Sequence, residues 1–305
     1  TMTVADAFAY IRKNGVDKET IYTCYVMDQK RKLEGVVTVK DLLMHSYETV
    51  IGDIMDTNVI TVVTTEDQER VAEDFTKYDL LSMPVVDKED RLVGIVTVDD
   101  IVDVMEQEAT EDFEKMAAMT PSEKPYLKTS VFQLAKNRIV WLLVLMVSSM
   151  LTGGILAKYE RAFALIPLLV TFIPMLTDTG GNAGSQSSTL IIRGMAVGEI
   201  EPSDILKVLW KEIRVGVLVG VILGAVNFVR LVLMYPGQEM VCLTVVLSLF
   251  MTVLLAKAIG CTLPIVAKVM KLDPAIMAAP LITTIVDAFS LVIYFQLACR
   301  FLNLS

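Results

Sequence analysis

Apolar positions divide the chain into two kinds of sequence. Residues 139–157 are nineteen uncharged, mostly apolar positions in a row, enough for a helix to cross the hydrocarbon of a bilayer. Residues 163–177 run on into the uncharged 179–192, broken only by Asp178. Residues 215–229 and 240–256 are shorter, and are lengthened by Arg and Lys at their ends, whose stems lie along apolar surface while the charge reaches water. Residues 275–299 carry one charge, Asp287. This pattern predicts five membrane-crossing helices. Ahead of them, short β-branched runs of strand length alternate with polar turns and with helices predicted near 4–13 and 67–78.

That first part repeats itself at an offset of 59 residues. Leu33-Glu34-Gly35-Val36-Val37-Thr38-Val39-Lys40-Asp41 corresponds to Leu92-Val93-Gly94-Ile95-Val96-Thr97-Val98-Asp99-Asp100. Each copy reads as strand, turn, strand and then a helix, with the Thr as its cap and the acid in its first turn. The turns are 28–30 and 87–90.

Composition sharpens the division. The chain of 305 residues is 54% hydrophobic with a mean hydropathy of +0.56, too apolar for an ordinary soluble protein. Residues 1–123 hold 27 acidic and 12 basic side chains, and residues 124–305 hold 9 and 15. An acidic N-terminal half argues against nucleic acid and for cations. One histidine, His45, leaves no basis for histidine zinc sites or Ser-His-Asp triads, and four scattered cysteines show no metal-ligand spacing. Basic residues at 124–138, 193–214 and 268–271 outnumber those of the opposite loops, chiefly Lys158 and Arg161, and place the acidic half in the cytoplasm.

Three features carry candidate chemistry. Asp287 sits thirteenth in its 25-residue run, near the bilayer centre, where an ionised carboxylate costs a few kcal/mol or more unless it faces water or a cation. No Lys or Arg is expected at matching depth, which leaves a permeating cation as its partner. A two-fold axis would bring two copies of it together. Residues 174–189 are too polar and glycine-rich for lipid contact and offer oxygens from Asn182, Gln186 and hydroxyls; Gly180, Gly184 and Ser188 also have the spacing of helix packing. Third, eight acids lie between Asp99 and Glu114 on one predicted helix, 99–116, where like charges three and four residues apart repel. A solvated face explains such a run, and so does cross-linking by divalent cations.

The repeated strand–turn–strand–Gly-x-Val-Thr-x-x-Asp resembles a pair of CBS domains over residues 1–107. Gly180-Gly181-Asn182-Ala183-Gly184-Ser185-Gln186 with Arg193-Gly194 resembles the second membrane helix of the MgtE magnesium transport family. Asp273-Pro274-Ala275 and Pro280-Leu281-Ile282-Thr283-Thr284-Ile285-Val286-Asp287 look like that family's fifth helix. The resemblance implies a multidomain protein: an α+β tandem CBS module at 1–107, an acidic connecting or plug helix and linker at 108–136, and an all-α membrane domain of five transmembrane helices per protomer at 137–305. It further implies a homodimeric, multi-pass cell-membrane Mg²⁺ channel rather than an enzyme, surrounded by membrane lipid. Asp287, Thr283, Asn182, Gly181 and Gln186 would form its path. Asp67, Glu69, Asp79, Asp100, Asp103, Glu108, Glu111, Asp112 and Asp273 would bind the cytoplasmic Mg²⁺ that closes it. It implies ATP or another adenine nucleotide at the CBS pair, near Thr38, Lys40 and Asp41. It also implies an acidic helical domain of roughly a hundred residues ahead of the pair, which this sequence does not contain. Two other readings stay open: a proton- or Na⁺-coupled carrier with Asp287 as coupling site, and a CBS membrane sensor that transports nothing.

Overall fold

The computed structural model describes residues 2–122, 124–277 and 279–303, without the side chains of 161–163 and 279. Arg161, counted above among the loop charges, therefore lies outside the described side chains. The chain divides into two compact units, 1–110 and 111–305.

The first unit opens with α1 (Val4–Asn14), followed by β1 (Thr23–Met27), β2 (Leu33–Thr38), α2 (Val39–Met44) and α3 (Ile51–Ile54). Then come β3 (Val62–Val63), α4 (Gln68–Tyr78), β4 (Ser82–Val86), β5 (Leu92–Thr97) and α5 (Val98–Met116). β1 and β2 form one antiparallel pair; β4 and β5 form another, with β3 added parallel to β4.

The repeat extends to fine geometry. Both hairpins slip register at matching places, Val26/Met27 and Val85/Val86, as a bulge does. Both turn through a left-handed residue, Arg31 (φ 65°) and Asp90 (φ 60°). In both, an aspartate at the turn's start gathers two backbone N–H groups: Asp28 Oδ1 accepts from Lys30 and Lys32, and Asp87 Oδ1 from Glu89 and Arg91. Separate small cores lie beneath the copies, one around Val4, Val37 and Leu42, the other around Phe75, Met83 and Ile101. The copies meet where Tyr25 Oη and Ser82 Oγ lie 2.9 Å apart.

The second unit is helical: α6 (Val131–Lys158), α7 (Glu160–Leu165), α8 (Ile173–Ala196), α9 (Ile205–Met234), α10 (Glu239–Val269) and α11 (Ala279–Phe301). Among the described residues, four stretches are long and apolar enough to cross a membrane: Val131–Lys158, Pro202–Met234, Glu239–Val269 and Pro274–Phe301. The fifth expected span, 163–192, is not one helix. A 3₁₀ segment, Pro167–Phe172, separates α7 from α8, because Pro167 and Pro174 each lack the N–H that a continuing helix requires. α8 itself has 24 residues, about 36 Å of helix. It is long enough to span but too polar to be recognised by hydropathy.

The bundle is apolar outside and partly polar inside. Large exposed side chains on α6 and α9 are mostly Leu, Val, Ile and Met, the surface of a helix that meets lipid. Ser187, Thr244, Ser248, Thr252 and Ser290 are fully buried, as small polar residues are between membrane helices. α8 packs against both α10 and α11. Its crossing with α10 is so close that a Cβ on Gly260 would overlap the Gly184 carbonyl, whereas Gly153 on α6 has open space around it. Gly260→Ala is therefore expected to cost about 1–3 kcal/mol through helix displacement. Gly153→Ala, which displaces nothing and removes a helix glycine, should hold or slightly raise the thermal midpoint of the purified protein.

Candidate functional site

Glycine costs about 1 kcal/mol per residue in a helix relative to alanine, so the glycine-rich centre of α8 depends on packing rather than on propensity. A Cβ on Gly180 would stand 2.6 Å from Thr252 Cγ2 and 2.9 Å from Val286 Cγ1; one on Gly184 would stand 2.7 Å from Ile282. α8 thus turns its glycines inward, against α10 and α11. The opposite face is polar and uncovered: Asp178, Asn182 and Gln186, one turn apart, are all exposed.

Gly181, expected to line the path, is buried instead, with a Cβ position 2.9 Å from Thr283 Cγ2. It brings α8 against α11 rather than presenting a face of its own. On α11, Thr283 and Asp287 are half-buried and one turn apart, and Thr283 Oγ1 donates to the Pro280 carbonyl at 2.9 Å. Asp178 of α8 is within electrostatic range of Asp287. Sequence reasoning treated Asp178 only as a break in an apolar run. Its isolation among uncharged residues is the same signal that singled out Asp287.

The expected sensor acids are placed but not gathered. Among the described residues no three His, Cys, Asp or Glu side chains come together as a metal site. Asp67 caps α4 by accepting from the Glu69 N–H, while Asp79 ends that helix in a left-handed conformation (φ 51°). Eleven helical residues put the two ends about 16 Å apart. Glu108 on α5 accepts a 2.7 Å bond from Gln68 Nε2 at the start of α4. Asp100 caps α5 by accepting from Thr97 Oγ1 and N; Asp103 is exposed, and Asp112 is partly covered. Glu111 and Asp273 are brought together, by a cation the sequence already contains. Lys115 Nζ lies 2.5 Å from each carboxylate. Partial burial disfavours the ammonium, but the hydrogen bonds to Asp273 and Glu111 outweigh it and raise the Lys115 pKa. Asp273 also caps the following 3₁₀ turn through Ala275 N–H at 2.8 Å.

In the first CBS repeat, Thr38 and Asp41 form a capping box. Thr38 Oγ1 and N both donate to Asp41 Oδ2, at 2.5 and 2.9 Å, and Asp41 N–H donates back to Thr38 Oγ1. The Thr38 hydroxyl, then its N–H, hold the Asp41 carboxyl below its usual range. A cavity of about 630 Å³ lies in the same repeat, lined among others by Tyr10, Asn14, Lys18, Thr20, Tyr25 and Asp28. Thr38, Lys40 and Asp41 do not line it.

Comparison with known proteins agrees with this division. The MgtE family, described as a divalent cation transporter, matches residues 173–297, and CBS domains match 1–48 and 51–107. The magnesium transporter MgtE of Thermus thermophilus is 38% identical over 97% of this chain and 66% of its own length. That of Bacillus subtilis is 35% identical over 99% of this chain and 66% of its own. This chain spans just under two thirds of the length of these relatives. A solved structure of the cytosolic domain of the Mg²⁺ channel MgtE in complex with ATP is 47% identical, covering 34% of this chain and 42% of that one, with a TM-score of 0.33. The chain thus carries a tandem CBS module followed by a multi-pass helical membrane domain, and it belongs to the MgtE family.

Proposed function

We propose that this chain is a Mg²⁺ channel for uptake, that two copies form its pore around a two-fold axis, and that cytoplasmic Mg²⁺ closes it. The observation that carries the reading is the polar face of α8. Asp178, Asn182 and Gln186 are exposed on a bundle whose outer side chains are otherwise largely apolar. Lipid cannot satisfy a carboxylate and two carboxamides; water or a second copy can. An isologous contact would duplicate Asp287 along the axis. Carboxylates, amide carbonyls and hydroxyls are ligands for a hard cation, and Mg²⁺, which holds its own waters, suits a pore that takes the hydrated ion. The two relatives named as magnesium transporters support that ion. Carboxylates along α5 repel one another until a divalent cation neutralises them, which couples α5 to cytoplasmic Mg²⁺.

The test is Mg²⁺ flux into liposomes holding the purified protein under an inside-negative potential. Flux that grows with voltage supports the channel. A saturating, pH-driven flux identifies a coupled carrier instead, and no flux at all overturns transport.

Lys115 makes the gating reading specific. Its ammonium already bridges Glu111 and Asp273, so a divalent cation arriving there competes with it. Lys115→Met is expected to lower the Mg²⁺ concentration that protects α5 from protease by about fivefold, the equivalent of roughly 1 kcal/mol for one partly exposed bridge. An unchanged midpoint would exclude Glu111 and Asp273 from the sensor.

A nucleotide at the CBS pair is a narrower proposal, resting on Asp41. Both Thr38 bonds fall on Oδ2, which leaves Oδ1 of an ionised carboxylate to accept from a ribose hydroxyl. Calorimetric titration with ATP should show binding that Asp41→Asn weakens about tenfold, the worth of one hydrogen bond to a charged group. Equal affinities for the two proteins would reduce Asp41 to a helix cap.

A further inference from the structure

Among the described residues, the membrane bundle holds a buried Glu–Lys–Ser cluster that the pathway does not use. Lys257 of α10 is only 5% exposed. Its Nζ lies 3.4 Å from Glu212 Oε2 of α9 and donates to Ser187 Oγ of α8 at 3.1 Å. Ser187 in turn donates to Glu212 Oε2 at 2.5 Å. Three helices meet at these three side chains. Every other ion pair among the described residues is more exposed.

Stability does not account for the cluster. Taking two charges out of water offsets their attraction, and a well-packed apolar pair of the same volume holds a core as firmly or better. What charges add is direction. α8 meets α10 at its glycines, Gly184 against Gly260 and Gly180 against Thr252 Cγ2, so the crossing is close and its contacts there are van der Waals ones. Such contacts set how near the helices come but carry no directional bond. Bonds from Ser187 to both members of the pair add that direction. With Ser187 aimed inward, a turn of about 100° per residue sets Gln186 and Asn182 about 100° and about 140° round the helix, on the open face.

We propose that the Glu212–Lys257 pair, acting through Ser187, is a positioning device for α8 that fixes how the helix presents Asn182 and Gln186. Its consequence for flux rests on the pathway reading above; its consequence for α8 does not. The experiment uses the full chain in liposomes, freed of its native cysteines and carrying Asn182→Cys, and measures modification of the introduced thiol by a charged, membrane-impermeant reagent. Replacing the pair by Glu212→Leu/Lys257→Met should leave the thermal midpoint intact yet slow that modification about tenfold, the range expected when a coupled contact is lost. With Asn182 retained, the same pair of substitutions should reduce Mg²⁺ flux to a similar degree. Parental reactivity of the introduced thiol in a folded double variant overturns the proposal. If the double variant does not fold, Ser187→Ala keeps the pair and cuts only the tether to α8; slowed modification then supports the proposal and unchanged modification overturns it. A parent protein without Mg²⁺ flux would sink the pathway reading while leaving the thiol measurement intact.

Discussion

Asp287→Ala is expected to reduce Mg²⁺ flux about a hundredfold or more while leaving the protein folded. The carboxylate is half-buried one turn from Thr283, so its loss removes charge and leaves no large cavity. Two copies near a pore axis would attract a hydrated divalent ion by several kcal/mol even at an effective dielectric of about 20. That attraction concentrates the ion against a bilayer that otherwise excludes it, while the membrane potential adds about 2.3 kcal/mol per charge per 100 mV. Asp287→Asn keeps an oxygen and the shape, so it separates charge from coordination. Removal of Asp178, farther out on the exposed face, should have a smaller effect. Parental flux through Asp287→Ala, measured with a Mg²⁺ indicator inside liposomes, would move the pathway away from α11.

Lys257→Met alone is expected to destabilise the membrane unit by about 3–5 kcal/mol, the cost of leaving a buried carboxylate without its partner. Glu212 would keep only the Ser187 hydroxyl, in a site whose side chain is 13% exposed. The measurement is thermal unfolding of the detergent-solubilised protein. The expected pattern is a large drop for the single substitution that Glu212→Leu on the same chain reverses. A single variant that melts with the parent would show that Glu212 is hydrated.

Much of the fold was legible because its signals are local. The repeat could be read from Gly-x-Val-Thr-x-x-Asp, and the structure carries it down to the matched bulges and the left-handed Arg31 and Asp90. The acidic helix expected at 99–116 is α5, Val98–Met116. The polar, glycine-rich segment identified α8, although hydropathy could not show that Pro167 and Pro174 break its approach. What stayed hidden depends on distant partners. Glu212 lies between Lys211 and Arg214 and reads as part of a charged helix end. Lys257 follows an uncharged run and reads as a residue reaching for water. Nothing local says that they meet, 45 residues apart, at a serine of a third helix. The sensor acids are a different case. Their number was visible, but helix geometry separates Asp67 from Asp79, and a lysine three residues beyond Asp112 already bridges two of the others.

The lipid-like surface of α6 has a consequence for how this sequence can drift. Its apolar side chains are mostly exposed, and few are shared with the core. Exchange of Leu for Ile, Val or Met there changes no contact that another helix depends on, so relatives can rewrite α6 freely while keeping it greasy. α8 has less latitude: at Gly180, Gly181 and Gly184 its packed side leaves no room for a larger residue, and at Asp178, Asn182 and Gln186 its open side is polar. A saturation scan should therefore find two membrane helices with different profiles, one forgiving of apolar exchange and closed to charge, the other closed at those glycine and polar positions.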